Sequence, residues 1–242
     1  MLVAAAVCPC PPLLVPDIAS GAAPELEAAR AACTDAVGLL AAARPDRLVV
    51  VGPEPTGGAE SYLTYPEGTR GSFRGFGVGL DVRLGREKAA DAEVQRELPP
   101  SLAVAAWLLE RTGWSDAPIE GLGVGEPLGP ERCIDIGRDT AAQAERVALL
   151  VMGDASACRS LKAPGYLDER AEPFDTAVAR ALGAADVAAL EALDVGLARQ
   201  LKASGRAPWQ VLAGAAEGTG LAGALLYEDA PYGVGYVVAA WS

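Results

Sequence analysis

Apolar positions in this chain fall into two rhythms. Residues 2–7, 48–51 and 147–152 are short apolar runs, each closed by a proline or glycine segment. They are too short for ordinary helices and carry no polar side, so they predict buried strands. Between the first two, Leu26, Ala29, Cys33, Val37 and Leu40 recur at helical spacing behind Pro24, with Glu25 and Glu27 in the opening turn. That pattern predicts a helix over 24–43. Strand, helix and strand within about fifty residues form a crossover with parallel strands.

From 56 to 86 the rhythm changes to glycine-rich alternation, through Phe73, Phe76, Val78, Leu80, Val82 and Leu84. This predicts short hairpin strands. A helix is expected over 102–111, strands near 122–124 and 133–136, and a short helix over 140–145. Beyond 173 helical stripes dominate, over 173–182, 187–193, 197–203 and 208–216. Two closing strands, 224–227 and 234–240, have a short connection and should pair antiparallel. The expectation is an α/β fold over residues 1–242: one domain, with a central mixed sheet flanked by helices.

Composition narrows the classes. The formal charge is −12, with 32 acidic against 20 basic residues. Such a chain repels phosphate backbones and anionic lipid surfaces, so neither nucleic acid nor membrane is an expected partner. No run of eighteen apolar residues occurs, and the first residues lack a basic leader pattern. Five cysteines, Cys8, Cys10, Cys33, Cys133 and Cys158, are an odd set without a disulfide framework. They fit a reducing compartment, and the expected location is the cytoplasm.

The chemistry concentrates where strands end: Cys8-Pro9-Cys10-Pro11-Pro12, Gly52-Pro53-Glu54-Pro55, and Gly153 to Cys158. The chain holds no histidine. Ser156 therefore has no imidazole to make it a hydrolase nucleophile. Asp154 could serve as an acid or base, or cap the following turn. Arg159, Lys162 and Arg170 could hold a carboxylate or phosphate, or pair with Asp168, Glu169 and Glu172. Ser156, Cys158, Arg159 and Lys162 are the ligand-binding candidates. Gly75-Phe76-Gly77-Val78-Gly79 has nucleotide-loop spacing but neither follows a strand nor opens a helix. Tyr232 and Tyr236 read as packing residues with a polar handle.

These segments resemble the class III extradiol ring-cleavage dioxygenases, the LigB-like superfamily that includes the Memo proteins. CPCPPLLVPDI is similar to the family's CPHPPLLVPEI. MGDASACRSLKAPGYLDERAEPFD is similar to a Gly-Asp-x-Ser-His segment followed by APGYFDPRAEEFD, and YEDAPYGVGYVVA to YEAPFGVGYMVA. The resemblance covers essentially the whole chain and implies a LigB-like fold. In the family two histidines and a carboxylate hold iron, and another histidine moves protons. Matched position by position, Cys10 and Glu54 stand at the iron ligands and Ala157 at the proton-transfer residue. Glu217 is the candidate carboxylate, with Glu228 a weaker one. The resemblance thus implies a bacterial pseudoenzyme with no expected cofactor, binding a small molecule or protein, with a homodimer possible in the superfamily. The alternative is an active enzyme with a remodelled pocket, either metal-free or holding zinc through Cys8, Cys10, Glu54 and Glu217.

Overall fold

The computed structural model describes residues 1–55, 62–87 and 96–242. Nine strands are found among them. They are β1 (Leu2–Cys8), β2 (Arg47–Pro53), β3 (Tyr62–Tyr65), β4 (Arg70–Ser72), β5 (Asp81–Arg83), β6 (Ile119–Val124), β7 (Val147–Met152), β8 (Gly223–Asp229) and β9 (Tyr236–Trp241). The α-helices are α1 (Pro16–Ala19), α2 (Glu27–Ala42), α3 (Pro100–Thr112), α4 (Pro130–Ala141), α5 (Ala171–Gly183), α6 (Val187–Glu191), α7 (Val195–Gln200) and α8 (Arg206–Ala216).

Seven strands form one sheet in the order β3-β6-β2-β7-β1-β9-β8. The four strands β6, β2, β7 and β1 run parallel. Strands β3 and β9 run antiparallel to their neighbours in the large sheet, and β8 runs antiparallel to β9. The sheet is mixed, as the chain's pattern predicts. The β1 to β2 crossover is parallel too, but β7 later inserts between its two strands. The glycine-rich hairpin appears as the separate pair β4–β5. Its opening residues, 56–61, lie outside the described residues.

Central strands buried on both faces carry apolar side chains at every position. All six residues of β7 are buried, which is why 147–152 reads as an unbroken apolar run. Alternate residues feed two cores. Ala4, Ala6, Cys8, Leu48, Val50, Leu150 and Met152 pack with α2 and α3. Val7, Val49, Val51, Leu149 and Val151 pack with α4, α5 and α8 on the other face.

The expected pattern fails most clearly at 133–136. Residues 133–136 are not a strand but the middle of α4, which also absorbs part of the expected helix at 140–145. Pro130 occupies the first helical turn, and Cys133, Ile136, Gly137 and Thr140 are its buried residues. Their spacing is helical; a four-residue window shows only its apolar half. The close crossing of α4 and α8 explains the small residues there. A methyl on Gly137 would collide with the Val211 carbonyl, and one on Gly214 with that of Ile134.

Candidate functional site

The parallel strands deliver their carboxyl ends to one edge of the sheet, the usual place for sites in α/β proteins. Here β1 ends at Cys8, β2 at Pro53, β6 at Val124 and β7 at Met152. The chain beyond β7 is drawn onto the end of β1: Gly153 N–H donates to the Cys8 carbonyl at 3.0 Å. The Cys10 N–H then donates to Asp154 Oδ1 at 2.8 Å. From the other side comes the turn before α8. Gly205 N–H donates to the Asp154 carbonyl at 2.9 Å, and Asp154 N–H donates to Ser204 Oγ at 3.2 Å.

The start of β9 completes this cluster. Ala155 N–H donates to the Gly235 carbonyl at 2.8 Å, and Gly235 N–H to the Ser156 carbonyl at 2.8 Å. Tyr236 follows Gly235 directly and is 2% exposed. Cys10, Asp154, Ser204 and Tyr236 therefore sit together at the ends of β1, β7 and β9.

Electrostatics follows from this enclosure. Asp154 keeps partial access to solvent but has protein on almost every side. Burial pushes its carboxyl up to about 7, opposed only by the Cys10 N–H. The Cys10 thiol is raised well above its ordinary range, first by burial and then by the charge of Asp154. The Tyr236 phenol is raised by burial and then by Asp154. Cys10 and Tyr236 are thus held protonated, and Asp154 changes charge near neutrality.

Glu54 belongs to a different group. Its N–H donates to the Val124 carbonyl at 2.9 Å, and its Oε2 accepts from the Tyr65 hydroxyl at 2.5 Å. The side chain lies over Gly123, where an added Cβ would be 3.1 Å from Glu54 Cβ. It leans across β6 towards β3, away from β7 and β1. Tyr65 is held protonated by burial and by this hydrogen bond.

Glu217 requires a correction. It caps the far end of α8 and pairs with Arg138 of α4, through contacts of 2.8 and 2.7 Å. Gly205, at the start of that helix, touches the end of β7, and eleven helical residues carry the chain about 16 Å away. Glu217 is the candidate carboxylate implied by the resemblance, but the axis of α8 takes it to the opposite end of the sheet, beside the end of β9. Glu228, the weaker candidate, is an exposed residue of the edge strand β8. The zinc set of Cys8, Cys10, Glu54 and Glu217 does not converge. Among the described residues no group of three or more histidine, cysteine, aspartate or glutamate side chains is placed to share a metal. Nor do the residues at the matched positions fit the family's iron. They offer a protonated thiol at Cys10, a glutamate turned towards β3 and a methyl at Ala157.

The ligand-binding candidates also divide. Ser156 is fully buried and spends both its donors on Asp175, N–H to Oδ1 and Oγ to Oδ2, each at 2.8 Å. Cys158 is buried, with its thiol donating to the Leu201 carbonyl at 3.4 Å. Ala157 is tied to Leu201 and Gly165 by backbone hydrogen bonds. All three are engaged by groups of the protein itself. Lys162 is exposed on the following loop. Arg159 does border a cleft of about 350 Å³, together with Asp175, Glu228, Asp229 and Tyr236. Its guanidinium is anchored at 3.2 Å to Asp175, which is 2% exposed.

Two participants escaped sequence reasoning. Asp175 lies one residue after Phe174 and three before Val178, both core residues of α5, so its position marks a buried carboxylate. Ser204 reads as a helix stop, and only the tertiary approach of α8 brings it to Asp154.

No family model matches the chain, and no curated protein does. Among solved structures it is similar to the crystal structure of an uncharacterized protein of Escherichia coli K12, JW3007. The TM-score is 0.52 and the identity 14%, over 99% of this chain and 100% of that one. The likeness is one of fold.

Proposed function

We propose that this is a LigB-like protein that has given up iron-dependent ring cleavage and retains a small-molecule site at the ends of β1 and β7. With respect to the family's reaction it is a pseudoenzyme. The resemblance of the strand-end segments to the class III extradiol dioxygenases supports the family reading. One observation carries the loss of activity: the matched positions Cys10 and Glu54 face different groups and neither is an imidazole. Iron(II) in that chemistry relies on neutral imidazoles with a carboxylate, leaving positions for substrate and oxygen. A methyl group at Ala157 cannot move a proton.

A metal-free enzyme is the second reading. It is favoured by Asp154, whose carboxyl titrates at about 7 at a strand carboxyl end. The test is anaerobic reconstitution with iron(II), elemental analysis, and oxygen uptake with a panel of catechols. Iron well below one per chain and no catechol-dependent uptake are expected. One iron per chain with catechol-dependent uptake would overturn the proposal.

A further inference from the structure

Two polar atoms at the strand ends have no hydrogen-bond partner among the described residues. The Tyr236 hydroxyl makes no hydrogen bond among the described residues, although the residue is 2% exposed. It is not sealed in either. The fully enclosed orphan atoms among the described residues are Glu126 Oε2 and Trp209 Nε1. What little surface Tyr236 presents therefore includes its oxygen. Asp154 is similar: Oδ1 accepts from Cys10, while Oδ2 has no hydrogen-bond partner among the described residues and is not enclosed. A buried tyrosine hydroxyl normally finds a partner.

The two residues are neighbours through the backbone pair of Ala155 and Gly235, and Tyr236 lies within the field of Asp154. One is an acceptor that can take a proton; the other is a fixed donor. The thiol beside them is held protonated, so no thiolate nucleophile competes. A base and a hydrogen-bond donor suffice for one kind of reaction: moving a proton on and off a carbon beside a carbonyl.

We propose that Asp154 and Tyr236 form a metal-free proton-transfer pair acting on a small enolisable carbonyl compound. The inference rests on the small-molecule site proposed above. Asp154 Oδ2 takes the α-proton. The C–H electron pair becomes the C=C bond, and the carbonyl π pair moves to oxygen, where the Tyr236 O–H donates to the enolate. Return of the proton from Asp154 restores the carbonyl compound, so no oxidant or reductant is consumed. Cys10 and Tyr236 face Asp154 and are protonated at neutral pH, Tyr232 and Tyr227 lie near Tyr236, and Arg159, Asp175, Glu228 and Asp229 border the cleft beside Tyr236; the Asp154→Asn comparison separates the titration of Asp154 from theirs.

The test is proton–deuterium exchange in D2O, followed by proton NMR, with two probes: 2-oxobutyrate and dihydroxyacetone. Faster α-proton loss than in buffer is expected for at least one, rising with pH through about 7. Asp154→Asn, which keeps an acceptor for the Cys10 N–H, should slow it about 100-fold, the usual worth of a general base. Tyr236→Phe removes a hydroxyl with no hydrogen-bond partner among the described residues, so it should fold normally and slow exchange about 10-fold, a modest share of an oxyanion donor's worth. The proposal fails if no probe exchanges faster with the wild type than with Asp154→Asn. Catechol-dependent oxygen uptake by the iron-loaded protein would instead sink the reading on which it rests.

Discussion

Gly153 and Gly205 meet backbone to backbone. A methyl group on Gly153 would press into the Gly205 Cα, and neither chain has a flexible side chain to move aside. This contact lets the turn before α8 reach Asp154. Gly153→Ala should therefore cost about 3 kcal/mol or more, the upper range of overpacking. Equilibrium denaturation by urea measures it; a change below 1 kcal/mol would mean that the two segments separate freely.

Asp154 makes stability depend on pH. Unfolded, its carboxyl titrates near 3.8; folded, near 7. The native state binds the extra proton between these values, so stability falls as pH rises from about 4 to about 7. Asparagine imitates the protonated form. Asp154→Asn should match the wild type near pH 4 and exceed it by about 2 kcal/mol at pH 8, allowing for the partial solvent access of the carboxyl. Melting curves at both pH values decide this. A variant less stable at pH 8 contradicts it.

Asp175 holds three groups at once: the Ser156 N–H, the Ser156 hydroxyl and the Arg159 guanidinium. Asp175→Ala leaves buried donors unpaired and should cost about 3 kcal/mol. Asp175→Asn keeps an acceptor for the Ser156 N–H and should cost less than half as much. Equal losses in the two variants would show that the hydrogen bonds contribute little.

Glu217→Gln should change stability by less than about 1 kcal/mol, because Arg138 and Glu217 are partly exposed partners. It should leave deuterium exchange at the Asp154 site unchanged. A large loss of exchange would place Glu217 in the site after all.

Much of the sheet was legible because β1, β2 and β7 are buried on both faces, and that condition writes unbroken apolar runs into the sequence. The segment Cys133–Ile136 was not, since four residues of a buried helix stripe can imitate a strand. The site was legible in part. Glycine and proline mark strand ends, so Cys10, Glu54 and Asp154 stood out correctly as residues at one edge of the sheet. Direction of the side chains was not: Glu54 turns to Tyr65 because Gly123 leaves room over β6. Ser204 and Tyr236 come from distant parts of the chain, and their meeting at Asp154 depends on packing that local pattern does not record.

Every one of the eleven residues of α8 is buried, including Arg206 and Gln210. The helix that sets Ser204 and Gly205 against Asp154 therefore has no outer face from which to peel away. Its amides should exchange with solvent hydrogen only when the whole chain unfolds, whereas edge strand β8 should exchange by local fraying. An occupant of the neighbouring cleft would then slow exchange across the molecule as a unit, leaving no loosened segment to betray where it sits.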